Sequence, residues 1–555
     1  MRTILVLLMF IASPGIIFAN PAEYTVKESM VPLGHGIGGE EIYVRSLKIS
    51  PDFQHIGYVS RIGGTFRVWF DGVSKKSYSG ITRQSPFFSP KQNRLAYIAS
   101  EDDKMFVVID DQEQKPYKQV GSLTFSPDGN RLAYRAEDDK GRQYIVVDGK
   151  EGPKFEKGIT NDIGVVFSPD SQHLAYVGLT ENNSCIFVKD NKKMRSFDKI
   201  GQVEFSPDSR HLAYTAFENG NWTVVLDDDP GAEYKTLSEL VFSPDSKQLA
   251  YMAEKKRRPI IVINEEEISA GSGVFFPSFS PKESRFAYLL TEKSGKFGYV
   301  IEGKQELLVD KPGRLIFSHD DTSVAYAAMI KDKWHVIKDG VAGPGFKKIY
   351  AFSYSPASND ILYAAENDEG KTTVVFNDVP GKWYDSIGIP VFSADGKKYG
   401  YVAKKNEDAM VMVIMNEEAS TTYPLIGILT IEAGNKGDIT EQQPFFSPNG
   451  DHIAYPVYDL KKKAAFMVVD GKPLPSIGGL LTKPIFSHDG NHIAYMAKKG
   501  EKWHMVVDGQ VSSQSCDGII RGATIAFDAS RNCFFVLVAS ETETGLSFFR
   551  MEAKI

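Results

Sequence analysis

Ten residues, FSPDGNRLAY from Phe125 to Tyr134, return in altered form along almost the whole chain. Near-copies read FSPDSQHLAY (Phe167 to Tyr176), FSPDSRHLAY (Phe205 to Tyr214), FSPDSKQLAY (Phe242 to Tyr251) and FSPNGDHIAY (Phe446 to Tyr455). The motif serine falls at positions 50, 89, 126, 168, 206, 243, 280, 318, 355, 393, 447 and 487, and Asp528 holds that slot in a thirteenth copy. Successive copies stand 37 to 42 residues apart, except for a step of 54 between Ser393 and Ser447. A fixed period near 40 residues with strand-like patterning is the signature of propeller blades. The expected fold is therefore all-β, a tandem β-propeller of thirteen four-stranded blades.

One repeat shows how a blade is written. Val165 to Phe167 form a short apolar run that stops at SPDS, a turn sequence with Pro and Asp in favoured places. His173 to Val177 make a second strand, and Leu179 to Ser184 a polar loop. Ile186 to Val188 and the residues near Arg195 to Phe197 supply the third and fourth strands. The turn between these last two is Asp-Gly at Asp71–Gly72, Asp148–Gly149, Asp470–Gly471 and Asp508–Gly509. Asp-Gly between apolar runs is a strong hairpin signal, because both turn positions want positive φ. Eight residues past the motif serine stands a tyrosine in twelve of thirteen copies, among them Tyr58, Tyr97, Tyr288, Tyr363 and Tyr495. The residue before the serine is aromatic in twelve, and Ile49 in the first. Large rings repeated in register imply facing sheets that interdigitate, each ring contributing roughly 1.5–3 kcal/mol.

The FSPDGxxLAY unit, with a third strand ending in VVDG, resembles the TolB-type, WD-repeat-like propeller repeats over about Val44 to Phe549. That resemblance implies a propeller and leaves function open, since propellers host many activities. TolB has an α/β domain ahead of its propeller, whereas here the first motif serine is already Ser50. Prolyl-oligopeptidase-like relatives add a hydrolase domain, and this chain ends at Ile555. Closed rings usually hold four to eight blades, so the expected division is two rings, of six and seven blades. It reads as a first propeller over 20–312 and a second over 313–555, the boundary lying within 270–313. The last copy stops after its third strand near Phe548 and Phe549, so Tyr24 to Val31 could supply the missing fourth. The long step containing Leu425 to Gln443 reads either as a crossing between rings or as an elaborated loop.

Residues 1–19 read as a signal peptide, with Arg2, the apolar stretch Ile4 to Phe18 and a cut after Ala19. No cysteine follows the cut, so a lipid anchor is not expected, and the mature chain should be periplasmic or secreted. A formal charge of −7 gives no electrostatic footprint for nucleic acid. No later stretch is long and apolar enough for a transmembrane segment. Cys185, Cys516 and Cys533 cannot make a disulfide framework, though Cys516 and Cys533 lie in consecutive repeats where one bond is conceivable.

The repeat accounts for most residues that would otherwise suggest chemistry. His55, His173, His211, His452 and His492 sit five residues after the motif serine, where other copies have Arg94, Arg131, Gln248 or Lys398. Asp52, Asp128, Asp170, Asp208 and Asp245 share one turn position that suits bonds to backbone N–H groups. Asp227 to Asp229 lack the alternating spacing of an EF-hand loop. HExxH, GxSxG and GxxxxGK[ST] are absent. GHGIGG at Gly34 to Gly39, which includes His35, lacks the strand and helix of a nucleotide loop. No catalytic residues, metal ligands or cofactors are expected.

What varies are the loops between second and third strands and the links between blades. Trp222, Trp334 and Trp503 stand where the chain leaves such a loop. Lys256, Arg257 and Arg258 form a basic one, and Lys461 to Lys463 another. The sequence thus points to an exported, non-catalytic scaffold that binds a protein, peptide or glycan outside the cytoplasm through these residues. The alternative is a hydrolase or lyase on peptide or sugar polymers with its site in a central funnel.

Overall fold

The computed structural model describes residues 26–555 apart from 36–39, 92, 161–162, 270, 408, 416, 431–437, 442, 460–463, 477, 479 and 544. The leader and Lys461 to Lys463 lie outside these residues. Among them there is no helix, and thirteen antiparallel sheets follow one another as blades, numbered here by motif serine from blade 1 (Ser50) to blade 13 (Asp528).

Blade 4 shows the common pattern, Val166–Phe167, Leu174–Leu179, Cys185–Lys189 and Lys192–Phe197 paired in that order. The Asp-Gly turns adopt the expected positive φ at both positions, for example +47° and +78° at Asp71 and Gly72. The repeated tyrosines are buried in every blade that has one, and Tyr58, Tyr176, Tyr326, Tyr363, Tyr401 and Tyr495 are wholly inaccessible.

First strands take several forms. In blades 1, 3, 5, 7, 8 and 9 the strand is continuous but bulged, with the register slipping, for instance, between Phe275 and Ser278. In blades 4 and 6 it is a single pair of residues, Val166–Phe167 and Val241–Phe242. In blades 2, 10, 11, 12 and 13 it is split into two short pieces, both paired with the second strand. Pro86, Pro390, Pro444 and Pro484 sit immediately before the second piece in blades 2, 10, 11 and 12. Proline has no N–H for the ladder and is tolerated only at such edges and interruptions. The 54-residue step falls inside the split of blade 11, between Leu425–Ile426 and Phe445–Phe446, and carries a small hairpin, Ile428–Thr430 with Asp438–Glu441. It is an elaborated loop within one blade.

The core is a succession of apolar clusters, each shared by neighbouring blades. Val59, Tyr78 and Tyr97 join blades 1 and 2, and Tyr117, Tyr134 and Val146 join blades 2 and 3. The series continues without a gap to blades 12 and 13. Leu33, Ile56, Tyr58, Trp69, Leu537 and Phe548 then join blade 13 back to blade 1. The expected division into rings of six and seven is not seen. Across 270–313, blades 6, 7 and 8 stay packed through Val274, Tyr288, Tyr299 and Tyr326.

Closure uses the N-terminal segment. Lys27–His35 lies antiparallel to Gly545–Lys554, from Lys27 opposite Lys554 to His35 opposite Ser547. The missing fourth strand of blade 13 is thus supplied from the other end of the chain, a few residues beyond the segment expected. Glu28 ties this strand to the neighbouring blade 12, its Oε2 accepting from the N–H and hydroxyl of Ser513 at 2.9 and 2.6 Å.

Candidate binding surfaces

Serine, histidine and aspartate do converge in five blades, each time in the same structural way. Ser168 Oγ donates to Asp170 Oδ1 at 2.5 Å and accepts from the His173 N–H at 2.9 Å. The His173 ring turns away and meets Asp190 through Nδ1 at 2.8 Å, while Asp190 Oδ1 accepts from the Leu174 N–H. His211–Asp227, His452–Asp470 and His492–Asp508 repeat this latch at 2.6 to 2.7 Å. Arg131 substitutes for the imidazole, pairing with Asp148 at 2.9 Å. The motif serines are buried, and in the latches of blades 4, 5, 11 and 12 they meet the following histidine through its backbone N–H rather than its ring. These groups hold turns together. Asp227 belongs to such a latch, so the acidic triplet is a turn, and among the described residues no three His, Cys, Asp or Glu side chains gather as a metal site.

Two structural residues escaped the sequence reading. The second serine of SPDS sits in the left-handed region, with φ of +67°, +65° and +65° at Ser171, Ser209 and Ser246. Each hydroxyl accepts an N–H from the preceding blade, at Asp128, Asp170 and Asp208, at 3.0 Å. At the outer edge Tyr117 and Lys115 both donate to Glu151 of the next blade, at 3.3 and 2.6 Å, and Tyr384 and Lys382 do the same to Glu418. The signal was available as the S of SPDS and as a K-x-Y pattern on fourth strands.

These carboxylates set a pH dependence. A donated serine hydroxyl is the main reason that Asp245, Asp320 and Asp528 titrate at about 2 instead of 3.8. A depressed carboxylate stabilises the fold above its unfolded value and gives that up as pH falls through its folded value. The thermal midpoint should therefore drop steadily between about pH 4 and pH 2. His55 acts in the opposite sense. Its bond to Asp71 raises its pKa from 6.5, so its contribution is whole below that pH and is lost as pH rises through the raised value. A thermal-midpoint series from acid to mild base tests both, and a profile flat down to pH 2 would contradict the first.

The three tryptophans sit half-buried at the start of third strands in blades 5, 8 and 12. Trp222 packs its ring 5.2 Å from that of Phe217, Trp334 bridges to Phe346, and Trp503 leans on the core between blades 12 and 13. They brace their own blades and lie three or more blades apart. Lys256, Arg257 and Arg258 form an exposed turn in blade 6, next to the blade of Trp222, with φ of +52° and +62° at the first two. None of the three has an ion-pair partner among the described residues. Cys185, Cys516 and Cys533 are buried free thiols, so the conceivable bond does not form.

A second surface lies on the first strands. Those of blades 10 to 13 together line one opening of ≈ 610 Å³, as only strands converging on a centre can. Large apolar side chains stand exposed on this inner edge, Phe276 at 70%, Ile389 at 60% and Tyr350 at 51%. Arg314 of blade 8 is exposed in the same opening as Phe276, and Arg45, Arg83 and Arg521 are exposed on the first strands or links of blades 1, 2 and 13. Phe276 has a φ of +54° within its bulge, a conformation that costs a bulky residue roughly 1–3 kcal/mol. Sequence reading passed over it because the repeat hides its one deviating position among conserved-looking neighbours.

No family model matches this chain, and no curated protein matches it. Among solved structures, one described as the crystal structure of the eukaryotic initiation factor is 12% identical, with a TM-score of 0.27 over 71% of this chain and 98% of its own. The β-propeller domain of the trilobed protease from Pyrococcus furiosus, described as having an open velcro topology, is 16% identical, with a TM-score of 0.24 over 46% of this chain and 94% of its own. Similarity this low carries no argument about function, and the likeness to TolB-type repeats rests on the repeat sequence alone.

Proposed function

We propose that this protein is an exported, non-catalytic β-propeller scaffold that holds a protein or peptide partner against a rigid ring. The observation that carries the reading is the set of exposed apolar side chains, Phe276, Tyr350 and Ile389, fixed on the inner strands of a frame whose serines, histidines and aspartates are engaged in turns. Exposed large apolar groups beside free cations mark contact surfaces. The apolar leader read from residues 1–19 supports export, and the unpaired turn Lys256 to Arg258 offers a second, basic contact. Trp222 supports the blade next to that turn, and Trp334 and Trp503 brace blades 8 and 12. In-cell crosslinking of the tagged chain, followed by mass spectrometry, tests the reading. One envelope protein should be recovered near stoichiometry, and its yield should fall several-fold when Lys256, Arg257 and Arg258 are all changed to Glu or when Phe276 is changed to Ser. Recovery of no specific protein would sink it.

A further inference from the structure

Between blades 6, 7 and 8 the inner edge opens into a cleft of ≈ 1100 Å³. Val241, Met252, Phe279, Leu289 and Leu315 give it an apolar floor, and Phe276 stands in it. Glu239 of blade 6 and Arg314 of blade 8 flank it, both exposed and neither with an ion-pair partner among the described residues. Blade 3 makes the same bulge with Ser122 at +53°, so the fold does not demand a phenylalanine there. An aromatic ring held out by a left-handed bulge, with unlike charges to either side, is arranged for a ligand.

We infer that this cleft takes an extended polypeptide segment in which an apolar side chain lies between a basic and an acidic residue, the apolar group meeting Phe276, the basic one Glu239 and the acidic one Arg314. The inference rests on the binding reading above and names the partner's chemistry. Charge complementarity selects a peptide over a glycan, since the other polar side chains of the lining are Ser238, Ser278 and Tyr299, and the Tyr299 hydroxyl is already engaged, donating to the Gly313 carbonyl at 2.7 Å. Pro277 and Pro312 interrupt the strand edges, so recognition falls to side chains instead of added-strand hydrogen bonds. Packed sheets lie about 10 Å apart and an extended chain rises about 3.3 Å per residue, so charges two blades apart call for a spacing of at most about six residues.

Fluorescence anisotropy of the full chain with three labelled heptapeptides tests this. The probes are Lys-Ser-Gly-Trp-Gly-Ser-Glu, the same peptide with Lys and Glu exchanged, and a version with Ser in place of Trp. One charge order should bind at least tenfold more tightly than the other, and the version without Trp should bind at least tenfold more weakly than the better one. Phe276→Ser should lower the better affinity at least tenfold with no fall in thermal midpoint, and Glu239→Lys with Arg314→Glu should invert the preferred order. Absence of binding by all three, or binding indifferent to these variants, overturns the inference. If the in-cell partner is still recovered in that event, the scaffold reading stands and only the cleft falls.

Discussion

A chain lacking Lys27–His35 should lose the cooperative thermal transition of the intact protein and self-associate. The segment is the fourth strand of blade 13, and its removal leaves the ten residues Gly545–Lys554 with an unpaired edge. It also uncovers the cluster in which Leu33, 3% exposed, packs with Tyr58, Trp69 and Phe548. Burial of Leu33 alone is worth about 1.5–3 kcal/mol, and the lost pairing adds to it. A long free edge is a template for a second chain, so sedimentation should show concentration-dependent dimers or larger species. A synthetic peptide covering residues 24–36, supplied in trans, should dock on that edge and restore the monomer and most of the thermal midpoint. A truncated chain that stays monomeric and melts like the parent would show that the seam is held by other contacts. Those contacts exist on the blade face, where Arg550 donates to the Gln54 carbonyl at 3.0 Å and the rings of Tyr58 and Phe548 lie 5.1 Å apart.

Tyr495→Ala should destabilise the protein by about 3–5 kcal/mol, the cost of removing a large ring from a sealed core. Tyr495 is wholly buried beside Tyr455, Ile493 and Val506. The informative comparison is Tyr495→Phe. The hydroxyls of Tyr58, Tyr326 and Tyr495 are buried without a hydrogen-bond partner among the described residues. An unpaired buried hydroxyl costs free energy, so its removal should leave stability unchanged or raise it by up to about 1 kcal/mol. At Tyr363 the same change should instead destabilise by roughly 1 kcal/mol, because that hydroxyl meets Asp378 Oδ1 at 3.1 Å. Denaturant titrations of the three variants decide the matter. A loss at Tyr495→Phe as large as at Tyr363→Phe would mean that the repeat's tyrosine is kept for its oxygen and not its ring.

The blade was legible in the sequence because its period, its turn residues and its apolar offsets agree. Asp71–Gly72 forces the hairpin, Ser126 and Asp128 close the first turn, and Tyr134 fills the sheet interface. The return of the chain to pair with its own start was legible too, from one absent strand. The division of the blades into rings is a property of the whole array, and no single residue encodes it. The inner-edge surface was harder still. Phe276 reads as one more aromatic in VFFPSFSP, and only backbone geometry shows that Phe275 turns in while Phe276 turns out. The tryptophans are ambiguous in sequence, because a bulky ring at a strand end braces its blade as readily as it meets a partner.

The seam also sets an order of events for the growing chain. Ser29 and Glu552, which meet across it, are 523 residues apart. At 5–20 residues per second, roughly half a minute to two minutes separate the synthesis of one from the other. The first described strand to emerge is therefore the last to find its place, and until then it is a solitary β-segment with no register to obey. Twelve blades can stack in sequence behind it, each using its predecessor as a template, while the thirteenth waits on a partner made at the outset. Birth order and assembly order are inverted at this one joint, so the ring can lock only after its last blade has been made.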